Sequence, residues 1–596
     1  MIVAPQSLPG PIPDAIYIKG KVVTVDDRFS VTEAFSIRDG RFASVGTNER
    51  VLATAGTTTA VVDLAGRTVL PGFVDAHAHT VFRALATLAK PSLAGVRSVN
   101  EIIGRIAETT KNLASGEWVT TSPIGDPPDY FGLPERLEGG RWPTRHDLDL
   151  AAPDHPVYVP TPVYWPHPAT FNTRALAALD VTAETAETAE TAETAETAET
   201  AETAETAETA ETAEDTGVRI MRDPDTGDPT GVIYGLNIYN RSSRLFARLA
   251  TMLPVAPADD RQAAIRQAMQ DNLAVGVTTI YEGHANFSTP DLLAMHAASS
   301  LPHRVVCSEE VPLWLPLDEL DGWMAAQAAA SGHGSGDEFC KIVGVTVSLD
   351  GAVQFGAAHM TEPYLDPHGS LGNGRSALTA DRLADIARLA VAHDLRLNVL
   401  AAGNQAGAIA VEALETVHAQ TSLDGRDWIV QHFQHPTRSQ ITKLKTMGLS
   451  AQTYASVDYS KGAEVYVERF DDEVWRHVVP LRWWLDGAIN VAQGSDGAHP
   501  DPMFQIWASL QRIDGRTGRS LRTPAKTITR EEAIRLQTIN GARLLQCGDD
   551  LGSIQVGKLA DFVVLDRDIL ECPPDEIRAA TCLLTALAGN VVHGQL

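Results

Sequence analysis

The stretch PGFVDAHAH, residues 71–79, ends in two histidines, His77 and His79, that are two residues apart. Side chains alternate between the two faces of an extended strand, so histidines at this spacing share a face and can converge on one metal ion. The apolar run TVLPGFV at residues 68–74 is of strand length and leads directly into the pair. The sequence therefore predicts a strand with a metal-binding pair at its carboxyl end, the edge where α/β barrels carry their catalytic groups.

The central part of the chain alternates short apolar runs with amphipathic helical patterns. This alternation is typical of βα units around a parallel sheet. One helix is predicted over residues 380–393, where Leu383, Ile386, Ala387 and Ala390 fall on one face. Further strands are predicted at residues 276–281, 342–349, 395–400, 428–431, 449–454 and 489–493.

The two ends of the chain have a different pattern. Residues 15–67 and 551–596 alternate strands with glycine turns and have no helices between them. We therefore predict an α/β fold, with a (β/α)8 TIM barrel over residues 68–545. A small β-sandwich domain is predicted to form from residues 1–67 and 546–596 together.

A low-complexity repeat interrupts the chain, since the triplet TAE occurs eleven times in succession over residues 182–214. A three-residue period spreads the glutamates around every face of a helix, so no apolar stripe can anchor the segment. The repeat also accounts for eleven negative charges, and without it the formal net charge is −17 rather than −28. We interpret the repeat as a solvated surface insertion.

Composition excludes several classes of protein. An acidic chain is unsuited to binding the phosphate backbone of nucleic acids. The five cysteines are scattered, with no CxxC spacing, so neither a disulfide framework nor a zinc knuckle is predicted. Neither a membrane-spanning apolar stretch nor a signal peptide is recognisable. We expect a cytoplasmic protein that acts on a small molecule and binds neither nucleic acid nor membrane; its oligomeric state stays open, a homodimer included.

Polar residues stand at the ends of the predicted barrel strands. Convergence of such residues is typical of an active site at the top of a TIM barrel. They are His77, His79, Glu282, Asp350, His432, Gln452 and Asp496.

Several further motifs accompany PGFVDAHAH. They are RWPTRHDLD at 141–149, DPDTGDPTG at 223–231, SLDGA at 348–352, GSDGAHPDP at 494–502 and LGSIQVGKLADFVVLD at 551–566. With these motifs the chain resembles the amidohydrolase superfamily, and within it the amidohydrolase 3 or YtcJ-like group, which includes N-substituted formamide deformylases and AepA-like proteins. The resemblance implies a barrel with a terminal β-sandwich and an insertion after the first strand, here at about residues 115–250.

Two family positions are altered in this chain. Members with two metals carry a bridging carboxylated lysine and a fifth-strand histidine, and the corresponding residues here are Thr346 and Leu400. Lys341 lies an odd number of residues from Thr346 and is predicted to face outward. The resemblance therefore implies a mononuclear centre.

The ligands that the resemblance implies for this centre are His77, His79 and Asp496, around one divalent ion. Zinc suits three such ligands with an open position, and iron or manganese are alternatives. Asp496 would take the proton of the attacking water and return it to the leaving nitrogen. His432 would polarise the substrate carbonyl or serve as a third imidazole ligand.

The remaining positions are expected to contact substrate or to support the site; they are His167, Glu282, Asp350 and Gln452. Glu282 and His284 are also candidates to replace the missing ligands. The predicted function is metal-dependent hydrolysis of a C–N bond, in an amide, an N-substituted formamide or a related small molecule, by metal-activated water. Two alternatives stay open: a catalytically silent binding or regulatory homologue, and a deaminase.

Overall fold

The computed structural model describes residues 12–126, 136–160, 168–185, 218–236, 243–285, 289–330, 337–366, 371–497 and 499–596. At its centre lies a sheet of eight parallel strands that are neighbours in chain order. The predicted α/β fold with a TIM barrel is confirmed. The strands are β1 (Phe73–Asp75), β2 (Val277–Glu282), β3 (Arg304–Glu310), β4 (Cys340–Ser348), β5 (Leu397–Ala401), β6 (Ile429–His432), β7 (Ser450–Thr453) and β8 (Val491–Gln493).

Helices follow each barrel strand and cover the outside of the sheet. Helix Ala380–Ala392 illustrates why they form, since its buried side chains are the predicted apolar face, Leu383, Ile386, Ala387 and Ala390. None of the helices in the described parts of the chain is long and apolar enough to cross a membrane. The barrel helices are Thr80–Ala86, Ala258–Ala274, Thr289–Ala297, Leu317–Ala329, Ala380–Ala392, Asn404–His418, Arg438–Thr446, Val457–Lys461, Asp472–Arg476, Leu481–Asp486, Pro502–Gln511, Arg530–Leu536 and Ile539–Leu544.

The barrel closes between β8 and β1 through a buried carboxylate. Asp75 at the end of β1 accepts hydrogen bonds from the Ser495 backbone N–H at 2.8 Å and from the Ser495 hydroxyl at 2.6 Å. It also accepts the backbone N–H of His77 at 3.2 Å. Because the two segments pack backbone to backbone, a Cβ on Gly494 would lie 2.5 Å from the backbone nitrogen of His77.

The first predicted strand is wrong in extent. Residues 68–74 form two strands in place of one: Thr68–Pro71 pairs with Phe562–Leu565 in a terminal sheet, and Phe73–Asp75 begins the barrel. Gly72 separates them, and a Cβ there would lie 2.2 Å from the Thr278 hydroxyl. The other predicted strands agree with the structure to within two residues at each end. Strand β3 has no counterpart among the predicted strands.

Two further sheets are built from both ends of the chain. Their facing sides share one core, in which Tyr17 stacks on Phe35 and both rings meet Phe562 edge-on. The four-stranded sheet has the order Arg41–Gly46, Ala34–Arg38, Ala15–Ile18, Ala60–Asp63. The six-stranded sheet has the order Asn590–Gly594, Cys582–Leu587, Phe562–Leu565, Thr68–Pro71, Lys21–Val23, Val31–Thr32.

The segment between β1 and β2 carries a five-stranded sheet of its own, as expected for the insertion. All but residues 182–185 of the TAE repeat lie outside the described residues. The sheet has the order Arg219–Arg222, Pro229–Tyr234, Pro168–Phe171, Val157–Val159, Val119–Thr120. The remaining helices include Asn48–Leu52, Val99–Thr110, Arg145–Ala151, Thr173–Ala178 and Arg244–Met252, with 3-10 turns at Val353–Phe355 and Pro574–Ala579, a π-helical stretch at Gly462–Val467, and a hairpin of Tyr364–Leu365 with Leu371–Gly372.

A buried ion pair joins the barrel to the terminal sheets. Arg304 on β3 donates to both carboxylate oxygens of Asp561, at 2.6 and 2.9 Å, and both side chains are almost fully buried.

We predict that Asp561→Ala lowers the free energy of unfolding by about 3–5 kcal/mol, because it leaves the Arg304 charge buried and unpaired. Chemical denaturation measures this. Glu415→Ala, which breaks the exposed pair with Lys443, is the control and should cost about 0–1 kcal/mol; equal costs for the two variants would contradict the prediction.

The close approach at Gly494 gives a second prediction. We expect Gly494→Ala to lower the melting temperature, because the added methyl group meets backbone and overpacking costs about 1–3 kcal/mol or more. Gly104 is the matched control, since a Cβ there meets no atom within 4 Å. Gly104→Ala, within helix Val99–Thr110, should be neutral or stabilising by up to about 1 kcal/mol. A melting temperature for Gly494→Ala at or above that of the wild type would refute the close contact.

Candidate metal centre

Four side chains from three strand ends meet at the carboxyl end of the barrel. His77 and His79 follow β1, His432 ends β6 and Asp496 follows β8. The Oδ1 atom of Asp496 lies 3.1 Å from Nε2 of His79, 3.5 Å from Nε2 of His77 and 3.7 Å from Nε2 of His432. The Nε2 atoms of His77 and His432 are 3.4 Å apart. Three imidazoles therefore surround one carboxylate oxygen.

These separations fit a divalent metal ion. Ligand atoms about 2.1 Å from a tetrahedral zinc ion are about 3.4 Å from one another. Among the residues that the structure describes, ligand atoms of His77, His432 and Asp496 all lie within 4.8 Å of one another. Imidazole and carboxylate donors also suit zinc, iron or manganese. Both the donor atoms and their spacing are thus those of a metal centre.

Burial sets the protonation states that such a centre requires. It lowers the pKa of His77 well below its ordinary value and that of His432 to about 4, so both imidazoles are neutral and have a lone pair to offer. Burial alone would raise the pKa of Asp496, but the imidazoles of His432, His79 and His77 outweigh it and lower that pKa. The ring of His77 is also oriented, because its Nδ1–H donates to Gln431 Oε1 at 2.8 Å and leaves Nε2 facing the site.

The backbone is strained at two of the four residues. His432 has φ +65° and Asp496 has φ +53°, in the left-handed region that residues other than glycine rarely adopt. Each conformation is held by a hydrogen bond: the Gln452 side chain accepts the N–H of His432 at 3.2 Å, and the His77 carbonyl accepts that of Asp496 at 2.9 Å. Strain of this kind persists where the surroundings impose it, and it is concentrated at functional sites.

The predicted supporting residues hold backbone segments beside the site. Glu282 accepts the N–H of Val81 at 3.1 Å, at the start of the helix that follows His79, and burial raises the pKa of Glu282 to about 7. Asp350 accepts three backbone N–H groups, and burial raises its pKa to about 7. His167 lies outside the described residues.

The two altered family positions are Thr346, which has a hydroxyl group, and Leu400, which is aliphatic. Thr346 is buried inside the barrel, where its Oγ1 donates to the Gly283 carbonyl at 2.7 Å and lies 2.7 Å from the Ser308 hydroxyl. Leu400 is buried and offers no ligand atom. Lys341 reaches toward the Gln546 carbonyl at 3.5 Å, outside the site as predicted.

Sequence reasoning missed several residues that build the site. Asp75 was detectable, since it lies two residues before His77 within the quoted motif. Gln431 precedes His432 and gave no separate signal. Glu310 ends β3, the strand absent from the predictions, and its carboxylate lies 2.5 Å from Nδ1 of His284.

Comparison with known proteins agrees with this geometry. The sequence profile of the amidohydrolase family matches residues 60–204 and 192–593. An N-substituted formamide deformylase from Arthrobacter pascens is 26% identical over 97% of this chain and 97% of that protein. Protein LONG AFTER FAR-RED 3 from Arabidopsis thaliana is 24% identical over 98% of this chain and 92% of that protein. A metal-dependent hydrolase from Pyrococcus horikoshii shares the fold, with a TM-score of 0.67 and 20% identity over 94% of this chain and 99% of that one. With a match across nearly its whole length, the chain belongs to the amidohydrolase family.

Proposed function

We propose that this protein is a metal-dependent hydrolase that cleaves a C–N bond of a small molecule, an amide or an N-substituted formamide. The observation that carries the proposal is the convergence of three imidazole Nε2 atoms on one carboxylate oxygen, within 3.1–3.7 Å, at the carboxyl end of the barrel. The full-length similarity to an N-substituted formamide deformylase supports this class of substrate.

The metal would be held by His77, His432 and Asp496, whose ligand atoms lie within 4.8 Å of one another. This set differs from the ligands expected from the sequence, in which His79 stood in place of His432; His79 lies 3.1 Å from Oδ1 of Asp496. The separation of 3.4 Å between the Nε2 atoms of His77 and His432 is that of two ligands of one ion, so we assign His432 to metal binding in preference to carbonyl polarisation. One ion is proposed, because Thr346 and Leu400 cannot supply the ligands of a second. Zinc is the first candidate, with iron and manganese as alternatives.

A divalent metal supplies Lewis acidity, which makes water a nucleophile at neutral pH. Asp496 is the base of the site, since the surrounding imidazoles lower its pKa and keep its carboxylate ionised. It accepts a proton from the attacking water and delivers that proton to the leaving nitrogen. Gln431 keeps Nε2 of His77 directed at the site, and Gln452 holds the backbone of His432. His167 stays a predicted substrate contact.

Metal content tests the centre. We expect one divalent ion per wild-type chain by elemental analysis after supplementation with zinc. The variants His77→Ala and Asp496→Asn should retain less than about a tenth of it, because each removes one of few ligands. His393→Ala, which alters a histidine at the end of helix Ala380–Ala392 that pairs with the exposed Asp321, is the control and should bind one ion. Two ions per wild-type chain would refute the mononuclear assignment.

Product analysis tests the reaction. We expect the zinc-loaded protein to release a carboxylate and an amine from N-substituted formamides or other amides, as measured by mass spectrometry. Asp496→Ala should lower kcat by about 10²–10⁴, the usual contribution of a general acid or base, and further where metal is lost. Release of ammonia from an amine substrate would identify a deaminase. A metal-loaded wild type with no turnover on either panel would favour a silent binding homologue.

A further inference from the structure

A buried chain of hydrogen bonds links three strand ends beside the metal centre. The Ser348 hydroxyl at the end of β4 donates to Oε1 of Glu310 at 2.7 Å. The same Oε1 lies 2.5 Å from Nδ1 of His284, just beyond β2. The side chains of His284 and Glu310 are only 4% and 1% exposed. A carboxylate on β3 thus fixes an imidazole on its neighbour β2.

His284 packs against both histidines of the HAH motif. Its ring is stacked on that of His79, with centroids 5.6 Å apart and an angle of 22° between the planes. It meets the ring of His77 edge-on at 5.2 Å and 75°. Within the described residues, the mutually close ligand atoms belong to His77, His432 and Asp496, and His284 is not among them. His284 instead contacts the ring of His77, one of these three residues, and the ring of His79.

The pair occupies the side of the site where the ligands of a second metal are missing. Ser348 is two residues from Thr346 on the same strand and is paired in register with Leu400 of β5. Burying an ionisable pair is costly unless both groups are hydrogen-bonded, and here they are bonded to each other. Groups outside the ligand set that hold metal-binding imidazoles in place typically affect the affinity for the metal.

We propose that Glu310 and His284 form a positioning pair for the metal centre, in which Glu310 orients the ring of His284 and His284 holds the rings of His77 and His79 toward Asp496. The inference rests on the proposed function, since it presupposes that a metal binds. The proposal gives a role to Glu310 and His284, which are neither among the proposed metal ligands nor part of the proposed reaction. Glu310 is paired in register with Thr346, so the pair lies beside that altered position.

Cobalt(II) binding to the purified full chain tests the pair without any substrate. We expect Glu310→Leu and His284→Leu to weaken cobalt binding by about 10–100-fold and to alter the visible d–d spectrum. Glu310→Gln should have a smaller effect, because its amide oxygen can still accept from Nδ1–H. Glu309→Gln is the matched control: this neighbouring glutamate bonds the Thr289 hydroxyl, and its variant should match the wild type in affinity and spectrum.

The melting temperature of each metal-free variant separates a positioning role from a loss of folding. Should a leucine variant fail to fold, His284→Gln replaces it and should likewise weaken cobalt binding about tenfold or more. Wild-type affinity and spectrum in folded His284 and Glu310 variants would overturn the inference while leaving the metal centre intact. A wild-type protein that binds no cobalt would instead overturn the proposed function, and the positioning role with it.

Discussion

The structure depends on the carboxylate of Asp75, which joins the first and last strands of the barrel. Its hydrogen bonds to the backbone of His77 and to Ser495 bring the segment after β8 against the segment after β1. Burial raises the pKa of Asp75 to about 6, and the bonds to Ser495 and His77, together with the nearby His79, offset part of the cost of a buried carboxylate. Because Ser495 precedes Asp496, the same bonds place the Asp496 side chain within 3.5 Å of Nε2 of His77. The contacts that close the barrel therefore also bring Asp496 to the candidate metal centre.

The two sides of the candidate metal centre carry different kinds of residue, and each side belongs to a different group of barrel strands. Donor atoms come from β1, β6 and β8, where imidazoles and a carboxylate stand close enough for one ion. The opposite side, from β2 to β5, carries the hydroxyls of Ser308 and Thr346, the aliphatic Leu400 and the His284–Glu310 pair. That side is filled by polar groups bonded to one another and by the aliphatic Leu400. It has Thr346 and Leu400 where the family resemblance implies ligands of a second metal, and for this reason we propose one ion.

Much of the fold and half of the site were predictable from local patterns. Three of the predicted features are properties of short segments, because side-chain periodicity is local. They are the HAH spacing, the strand before Asp496 and the alternation of strands and helices. The extent of β1 was not predictable, since the strand is divided at Gly72 by the approach of Thr278 from β2, a contact distant in sequence. Strand β3 was overlooked, and with it Glu310. Glu282 and Asp350 were singled out correctly as strand-end residues, but both hold backbone N–H groups, a role that depends on which loops fold back onto them.

The sequence by itself determined the family, the barrel, the terminal β-domain and the identity of His77, His79, His432 and Asp496 as the groups that could bind a metal. It also has a threonine and a leucine at the two positions where the family resemblance implies a lysine and a histidine as ligands. Tertiary structure alone decided that His432 lies at ligand distance from His77, that Gln431 orients His77, and that His284 is fixed by Glu310 against the HAH pair. The first two of these contacts join residues about 355 positions apart in the chain. Only closure of the barrel, which no local pattern encodes, brings them together.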